Sequence, residues 1–256
     1  MTLPIDTSAR QALAKVPEVT IAFWLIKIAA TTLGETGGDA VSMSMHLGYL
    51  VSTGIFAAIF LAAVIAQIKA KSFHPFLYWT TIIATTTVGT TLADFADRSL
   101  GIGYAGGSAL LLVLLLASLF VWHRAMGSVS VSSIHTPRAE AFYWVTIMFS
   151  QTLGTALGDW TADSAGFGYT GAAVIFGGLL ALVAIAYYWT RISRTLLFWA
   201  AFILTRPLGA VVGDFLDKPL DKGGLNLSRY SASAALLAFM LTAILMFRQR
   251  AAKTAH

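Results

Sequence analysis

The sequence predicts an all-α, polytopic membrane protein with eight transmembrane helices, arranged as four parallel repeats of two helices each. Three observations predict this fold class: the composition, the length of the apolar segments and an internal repeat. Of the 256 residues, 57% are hydrophobic. Only 11% are charged, whereas soluble domains carry about 25% charged residues. This composition requires a lipid bilayer around much of the chain, and the absence of cysteine excludes disulfides and thiolate metal ligands.

Eight apolar segments are long enough to cross a bilayer, which takes about 20 helical residues. They are residues 19–41, 48–68, 75–96, 103–123, 139–161, 168–190, 195–216 and 229–247. Lysine and arginine gather at alternate ends of these segments, at Arg10, Lys15, Lys69, Lys71, Arg124, Arg138, Arg191, Arg194, Arg248, Arg250 and Lys253. The other ends hold only Arg98, Lys218, Lys222 and Arg229. By the positive-inside rule both termini are cytoplasmic, and the net charge of +5 indicates topology rather than a nucleic-acid partner.

The chain divides into two halves with polar connections. Residues 1–18 lack the apolar core of a signal peptide and are interpreted as a cytoplasmic lead-in. The first half covers residues 19–126, a polar cytoplasmic linker covers residues 127–138, and the second half covers residues 139–249. Residues 250–256 form a short cytoplasmic tail.

An internal repeat organises both halves. Four segments align without gaps, and each has a tryptophan, a glycine ten positions later and an aspartate five positions beyond that. The segments are WLIKIAATTLGETGGD from Trp24, WTTIIATTTVGTTLAD from Trp79, WVTIMFSQTLGTALGD from Trp144 and WAAFILTRPLGAVVGD from Trp199. Each is followed by a second apolar segment that opens on a tyrosine, at Tyr49, Tyr104, Tyr169 and Tyr230.

The repeat places equivalent residues at one depth in the membrane. Two helices per repeat return the chain to its starting side, so the four repeats run in the same direction and are related by an axis along the membrane normal. The motif aspartates are Asp39, Asp94, Asp159 and Asp214. If the motif helices surround a common axis, these aspartates form one ring; if the two halves pack side by side, they form two pairs.

This pattern resembles a bacterial family of membrane proteins with four tandem repeats, each with two transmembrane segments and a tryptophan, catalogued as a repeat of unknown function. The resemblance covers residues 20–248, and the Trp, Gly and Asp positions carry it. It implies the eight-helix architecture and gives no substrate. We expect a multi-pass protein of the bacterial inner (plasma) membrane.

Two interpretations of the motif compete. In the first, the motif only packs helices. Each glycine has a small residue four positions later, which is typical of close helix packing in membranes, the tryptophan is an interfacial anchor and the aspartate caps the next turn. In the second, the motif lines a polar path. Polar residues continue inward from the aspartates, at Glu35, Thr90 and Thr155, then at Thr31, Thr86, Gln151 and Arg206, and then at Lys27. Packing alone requires none of these, so we favour the path.

Charge and ligand chemistry indicate a cationic guest. From tryptophan to aspartate, the four motif segments hold five acids, which are Glu35 and the four aspartates, against the two bases Lys27 and Arg206, a formal charge of −3. Such a field attracts cations, and carboxylate and hydroxyl oxygens suit Mg²⁺, Mn²⁺ or Ca²⁺. Met43, Met45 and His46 are candidates for softer metal ligands, with simple packing as the alternative. Lys27 and Arg206 are interpreted as charge-balancing groups that exchange partners when a cation or a proton binds.

These observations predict a transporter of a small cation, preferably a divalent metal such as manganese, with proton-coupled export as the expected direction. No cofactor is expected, and the expected partners are the bilayer and the cation. One alternative is a transporter of a small organic solute whose carboxylate binds Arg206 or Lys27, and another is a non-transporting sensor or assembly protein. An enzyme is not expected, because the sequence has no HExxH motif, no GxSxG motif and no phosphate-binding loop.

Two local features complete the predictions. Pro207 lies inside the fourth motif and should kink or break its helix, because proline removes a backbone donor. The fourth repeat also has the longer connection DKPLDKGGLNLSRY, which ends at Tyr230. We interpret this connection as a partial lid or as a contact in a homo-oligomer.

Overall fold

The computed structural model describes residues 15–131, 134 and 136–252, and within them the chain is helical. The eight helices are α1 (Ile21–Asp39), α2 (Gly48–Lys69), α3 (Pro75–Asp94), α4 (Tyr104–Met126), α5 (Pro137–Asp159), α6 (Gly168–Trp189), α7 (Arg194–Asp217) and α8 (Arg229–Met246). Their ends lie within three residues of the predicted segments. Most of the predicted lead-in and the end of the predicted tail fall outside the described residues.

The helices divide by apolarity into two groups. Among the described residues, α2, α4, α6, α7 and α8 are long and apolar enough to cross a membrane. The remaining helices, α1, α3 and α5, have similar lengths but carry the threonines and acids of the motif, most of which are buried. The chain is therefore a multi-pass membrane protein in which polar helices are enclosed by apolar ones.

The four motif helices form a closed inner bundle around one axis. Helix α1 packs on α3, α3 on α5, α5 on α7 and α7 on α1. This order selects the common axis over two halves packed side by side. All four tryptophans lie at one end of this bundle and all four motif aspartates at the other, and we call these the Trp end and the Asp end.

The outer helices interlock the repeats. Helix α2 packs mainly on α3, α4 on α5 and α6 on α7, so each outer helix covers the inner helix of the following repeat. The last outer helix, α8, packs on the first inner helix, α1. The hydroxyl oxygens of Thr36 on α1 and Ser233 on α8 lie 2.8 Å apart across this contact. The bundle therefore closes only when the two ends of the chain meet.

Local sequence signals begin the inner helices. Thr20, Thr136 and Ser193 precede α1, α5 and α7, and each accepts a hydrogen bond from a backbone N–H of the first turn. Helix α3 opens with Pro75, whose missing N–H costs nothing at the first helical position. Three polar caps and one proline thus mark the start of the four inner helices at the Trp end.

Glycine contacts hold the inner helices together in the same cyclic order. A Cβ atom added to Gly34 would lie 2.2 Å from Thr86 Oγ1 on α3, and one added to Gly89 would lie 2.9 Å from the backbone of Gln151 on α5. In the same way, a Cβ atom added to Gly154 would approach Arg206, and one added to Gly209 would approach Thr31. The small-residue spacing therefore predicts the packing correctly, and it does so in every repeat.

Aromatic rings close the Trp end. The ring before each motif tryptophan contacts the tryptophan of the next repeat, with centroids 5.4 to 6.4 Å apart. The pairs are Phe23 with Trp79, Tyr78 with Trp144, Tyr143 with Trp199 and Phe198 with Trp24. Three of the four tryptophans are buried. Their interpretation as interfacial anchors is not supported, because Trp79, Trp144 and Trp199 are buried against the aromatic rings of the neighbouring repeats.

Two predicted features of the fourth repeat can be compared with the structure. Helix α7 continues through Pro207 without a break. The proline ring packs beside Gly154, and this contact helps hold the helix in place despite the missing donor. The connection after α7 folds back over the end of that helix, because Leu225 and Leu227 donate backbone hydrogen bonds to Phe215 and Leu216. It thus lies at the Asp end, and its role as a partial lid or as a contact in a homo-oligomer stays a prediction.

Candidate functional site

The polar path lies on the axis of the inner bundle. At the Asp end the four motif aspartates are at most 3% exposed. Asp39, Asp94 and Asp159 each precede a π-helical turn, and none of the three side chains makes a capping hydrogen bond. The capping interpretation is therefore wrong for these three residues, and their carboxylates have other partners.

Two basic side chains bridge the aspartates into pairs. Arg98 lies 3.1 Å from Asp94 Oδ1 and 3.1 Å from Asp159 Oδ2. In the other half, Lys218 Nζ lies 2.6 Å from Asp39 Oδ2 and 3.0 Å from Asp214 Oδ1. The four acids thus surround one axis but are bonded as two pairs.

The pair around Lys218 is extended by a second acid and a second base. Arg229 lies 2.8 Å from Asp217 and 3.7 Å from Asp39. Burial on its own would lower the pKa of the Lys218 ammonium, but Asp214 and Asp39 raise that pKa well above its ordinary value. Lys218 therefore carries its charge at neutral pH and neutralises the acids around it.

Three carboxylates converge at this position. One oxygen each from Asp39, Asp214 and Asp217 lies within 4.8 Å of the others, and all three residues are buried. Carboxylate oxygens are the ligands that hard divalent cations prefer. In this structure the ammonium of Lys218 contacts two of these three residues.

Arg206 crosses the axis one layer deeper. Its Nη2 atom lies 2.9 Å from Glu35 Oε2 and 2.6 Å from Thr90 Oγ1, and it also donates to Thr155. Thr90 itself donates to Glu35 at 3.2 Å. Arg206 is fully buried. The predicted pairing of Arg206 with an acid is present, and this side chain connects α7 to the other three inner helices.

Not every predicted polar residue faces the path. Thr31 donates to the backbone carbonyl of Ile28, and Thr86 donates to that of Ile83. Both hydroxyls therefore satisfy helix carbonyls and contribute to packing. Gln151 differs, because both of its amide atoms are buried without a hydrogen-bond partner.

Lys27 lies deepest and has no acidic partner. Its Nζ atom is 3.5 Å from Thr205 Oγ1 and 4.2 Å from the centroid of the Phe202 ring. No carboxylate of the described residues lies within ion-pair distance of it. Lys27 therefore balances no acid directly in this structure, and the predicted exchange of partners between Lys27 and Arg206 stays a prediction.

The softer metal ligands do not join the carboxylates. Met45 is 52% exposed and His46 is also exposed, in the turn that follows α1. The convergent carboxylate group contains neither His46 nor any other histidine of the described chain. Met43 is half-buried in the same turn. The structure gives no support to a site built on these three residues.

Three basic residues of the site, Arg98, Lys218 and Arg229, were not predicted from the sequence. Spacing was a usable signal for two of them, because Arg98 and Lys218 each follow a motif aspartate by four positions, in the second and fourth repeats. With these two bases included, five acids face four bases, and the axis holds one unbalanced negative charge rather than three.

The repeat matches a known family of proteins. A family described as Repeat of Unknown Function (DUF347) matches the chain four times, at residues 22–73, 77–128, 142–193 and 197–252. Each match contains one inner and one outer helix. Searches of curated proteins and of solved structures gave no match. Since the four matches cover most of its length, the chain belongs to the DUF347 family of tandem repeats.

Proposed function

We propose that this protein transports a small cation along the axis of the inner bundle, with a divalent metal such as Mn²⁺ as the first cargo to test. The convergence of Asp39, Asp214 and Asp217 around the ammonium of Lys218 carries this proposal. A buried carboxylate cluster is stable only when positive charge neutralises it. A metal ion that replaces Lys218 keeps that neutralisation, so the exchange needs no unpaired buried charge.

The proposed path has two barriers. The first is the bridged aspartate layer, where the cargo enters by displacing Lys218. The second is Arg206, whose positive charge lies on the axis and repels a cation. Glu35 is the group that controls this second barrier. When Glu35 binds a proton or the cargo, its attraction for Arg206 falls, and the guanidinium is released towards Thr155. This step couples cargo movement to a proton.

We also propose that all eight helices cross the plasma membrane of a bacterium, with the Trp end and both termini in the cytoplasm. The bias of lysine and arginine towards the Trp end supports this orientation. The chain has no cysteine, so a single cysteine substitution reports on which side of the membrane its position lies. Ser72→Cys, between α2 and α3, should react with a membrane-impermeant maleimide only from the cytoplasmic side. Ser99→Cys, between α3 and α4, should react only from outside.

Flux through purified protein in liposomes tests the transport proposal. Vesicles loaded with a divalent-sensitive dye are exposed to Mn²⁺, Mg²⁺, Ca²⁺ or Zn²⁺. We expect saturable flux of one metal, with Asp214→Asn and Glu35→Gln abolishing it. Asp163→Asn is the matched control, because Asp163 is an exposed acid near the same end of the bundle but outside the carboxylate group.

The two site variants separate binding from passage. Asp214→Asn removes a ligand and should weaken metal binding itself, as measured by equilibrium dialysis. Glu35→Gln leaves the three convergent carboxylates intact and should bind metal while failing to move it. If folded wild-type protein moves none of the four metals, the cation proposal is wrong.

A further inference from the structure

The inner half of the axis holds buried polar atoms that lack partners. In the part of the chain that the structure describes, Arg206 Nε and Nη1 and both amide atoms of Gln151 make no hydrogen bond. Arg206 and Gln151 occupy the same layer of the repeat and are fully buried. A buried donor without an acceptor is costly, and native structures contain few. The N–H groups among these atoms therefore indicate a ligand that accepts hydrogen bonds.

The formal charge of this region is positive. Lys27 and Arg206 contribute two positive charges, and Glu35, the acid that pairs with Arg206, contributes one negative charge. The aspartates of the Asp end form a separate group, which is bonded to Arg98, Lys218 and Arg229. Asp39 also lies about 18 Å further along α1 than Lys27, at 1.5 Å per residue. One negative charge is needed to neutralise the inner half.

The space in this region is small. A Cβ atom on Gly154 would lie 2.1 Å from the Arg206 side chain, and one on Gly89 would lie 2.9 Å from the backbone of Gln151. Inner helices that approach this closely leave no room for a phosphate or for a carboxylate with a carbon chain. A single-atom anion needs the least space, and it fits the formal charge and the hydrogen-bond donors.

We infer that Lys27, Arg206 and Gln151 form a buried binding site for one halide ion, chloride or bromide, in the inner half of the bundle. The Lys27 ammonium, the free N–H groups of Arg206 and the amide N–H of Gln151 are the donors. The inference shares Arg206 with the proposed cation path but uses none of the convergent carboxylates, so it can fail while metal binding at those carboxylates stands.

Bromide binding to the full-length protein in lipid nanodiscs tests this inference. The thermal unfolding midpoint is measured while sodium bromide replaces sodium gluconate at constant ionic strength, and sodium acetate replaces it in a parallel series. Diffraction from bromide-soaked crystals then locates the ion by its anomalous signal. We expect bromide to raise the midpoint saturably, acetate to have no such effect, and one anomalous peak beside Lys27.

Lys27→Met is the decisive variant. The equivalent positions in the other repeats are Ile82, Ile147 and Phe202, so an apolar side chain suits this depth and the variant should fold. We expect it to lose the bromide effect and the anomalous peak. The control is Lys71→Met, which makes the same chemical change at an exposed position and should behave as wild type.

Three outcomes would overturn the inference. The first is that folded wild-type protein shows no saturable bromide effect and no anomalous peak. The second is that Lys27→Met responds to bromide as wild type does, which would place the ion elsewhere. The third is that acetate stabilises as strongly as bromide, which would assign the site to organic carboxylates. None of these outcomes bears on metal flux, so the two proposals fail separately.

Discussion

Arg206 brings one guanidinium nitrogen to three different inner helices. Its partners, Glu35, Thr90 and Thr155, occupy one layer, and the fourth member of that layer is Ala210 on the helix of Arg206 itself. Ala210 has no polar side chain. The long side chain of Arg206 therefore supplies the polar group of α7 in this layer and fills its centre. The geometry therefore makes Arg206 both the central structural contact of the axis and the barrier to a cation.

The Arg206 and Glu35 pair should show strong energetic coupling. Arg206→Gln leaves the Glu35 carboxylate buried without a cation, which costs about 3–5 kcal/mol. Glu35→Gln should be similarly destabilising, because it leaves the guanidinium unpaired. The double variant removes both charges and should cost clearly less than the sum of the two. Denaturant unfolding in detergent measures all four proteins. Additive losses would mean that the two side chains are not paired.

Asp97 should make stability depend on pH. Both of its carboxylate oxygens are buried without a hydrogen-bond partner among the described residues, and burial raises the pKa of Asp97 against the opposing effect of Arg98. The folded state therefore holds the proton more tightly than the unfolded state. Stability is retained below the unfolded pKa of about 3.9 and is lost as pH rises through the folded pKa.

Asp97→Asn should remove this loss. We expect the variant to unfold at a higher temperature than wild type at pH 7, with a smaller difference at pH 4. Scanning calorimetry or fluorescence in detergent measures both. Asp163→Asn, at an exposed position, is the control and should show no such trend. A difference that is the same at both pH values would contradict the proposed role of the Asp97 charge.

At the scale of single residues, the repeat predicts depth but not partners. The aspartates lie together at one end as expected, because equivalent positions in parallel repeats share a depth. The bridges made by Arg98 and Lys218 were not predicted, since a flexible basic side chain can turn towards water or towards the axis. Which of these occurs depends on the rotation of each helix, and spacing alone does not fix that rotation.

At the scale of helices, the motif glycines determine how closely the inner bundle packs. Gly89 is the clearest case, because the nearest atoms to an added Cβ include the backbone of Gln151 and Thr152, which cannot rotate away. The three other motif glycines meet side chains first. Contacts between backbones make the α3 and α5 interface the least tolerant of added volume.

Gly89→Ala should therefore destabilise the protein by about 1–3 kcal/mol, the usual cost of overpacking. Gly178→Ala is the matched control on the outer helix α6, where an added Cβ meets nothing within 4 Å. It should be neutral or stabilising by up to about 1 kcal/mol, because alanine favours helix. Unfolding in detergent compares the two variants. Equal effects would mean that α3 and α5 are not in close contact.

The bounds of the helices were predictable, and the partners of the outer helices were not. Tryptophan, aspartate and tyrosine mark the helix ends in every repeat, so the predicted segments match the structure closely. The outer helices are all strongly apolar and similar in composition. Nothing in such a pattern distinguishes packing on the inner helix of the same repeat from packing on that of the next.

At the scale of the whole molecule, the four repeats form a ring with no free edge. The closing contact joins α8 to α1, the last helix to the first. Two short backbone contacts reinforce it at the Trp end, where Glu18 donates to Arg250 and Ala252 donates to Val16. The two ends of the described chain are therefore neighbours.

A disulfide should report this closure. In a chain with no other cysteine, Thr36→Cys combined with Ser233→Cys should form a bond within one molecule on mild oxidation, because the native hydroxyls are 2.8 Å apart. Mobility in a denaturing gel before and after reduction measures it. Thr36→Cys with Ser231→Cys is the control, because Ser231 is exposed on α8 and should not react. A bond found only between two molecules would show that the ring closes by exchange of helices.

The neighbouring ends also mean that the order of the helices along the chain is not essential to the ring. A circular permutant that joins residues 15 and 252 through a short linker, and opens the chain between α4 and α5, keeps every packing partner described above. The old and new ends lie at the same face of the bundle, so the permuted protein inserts with unchanged orientation. In this permutant the second half of the chain is synthesised before the first half.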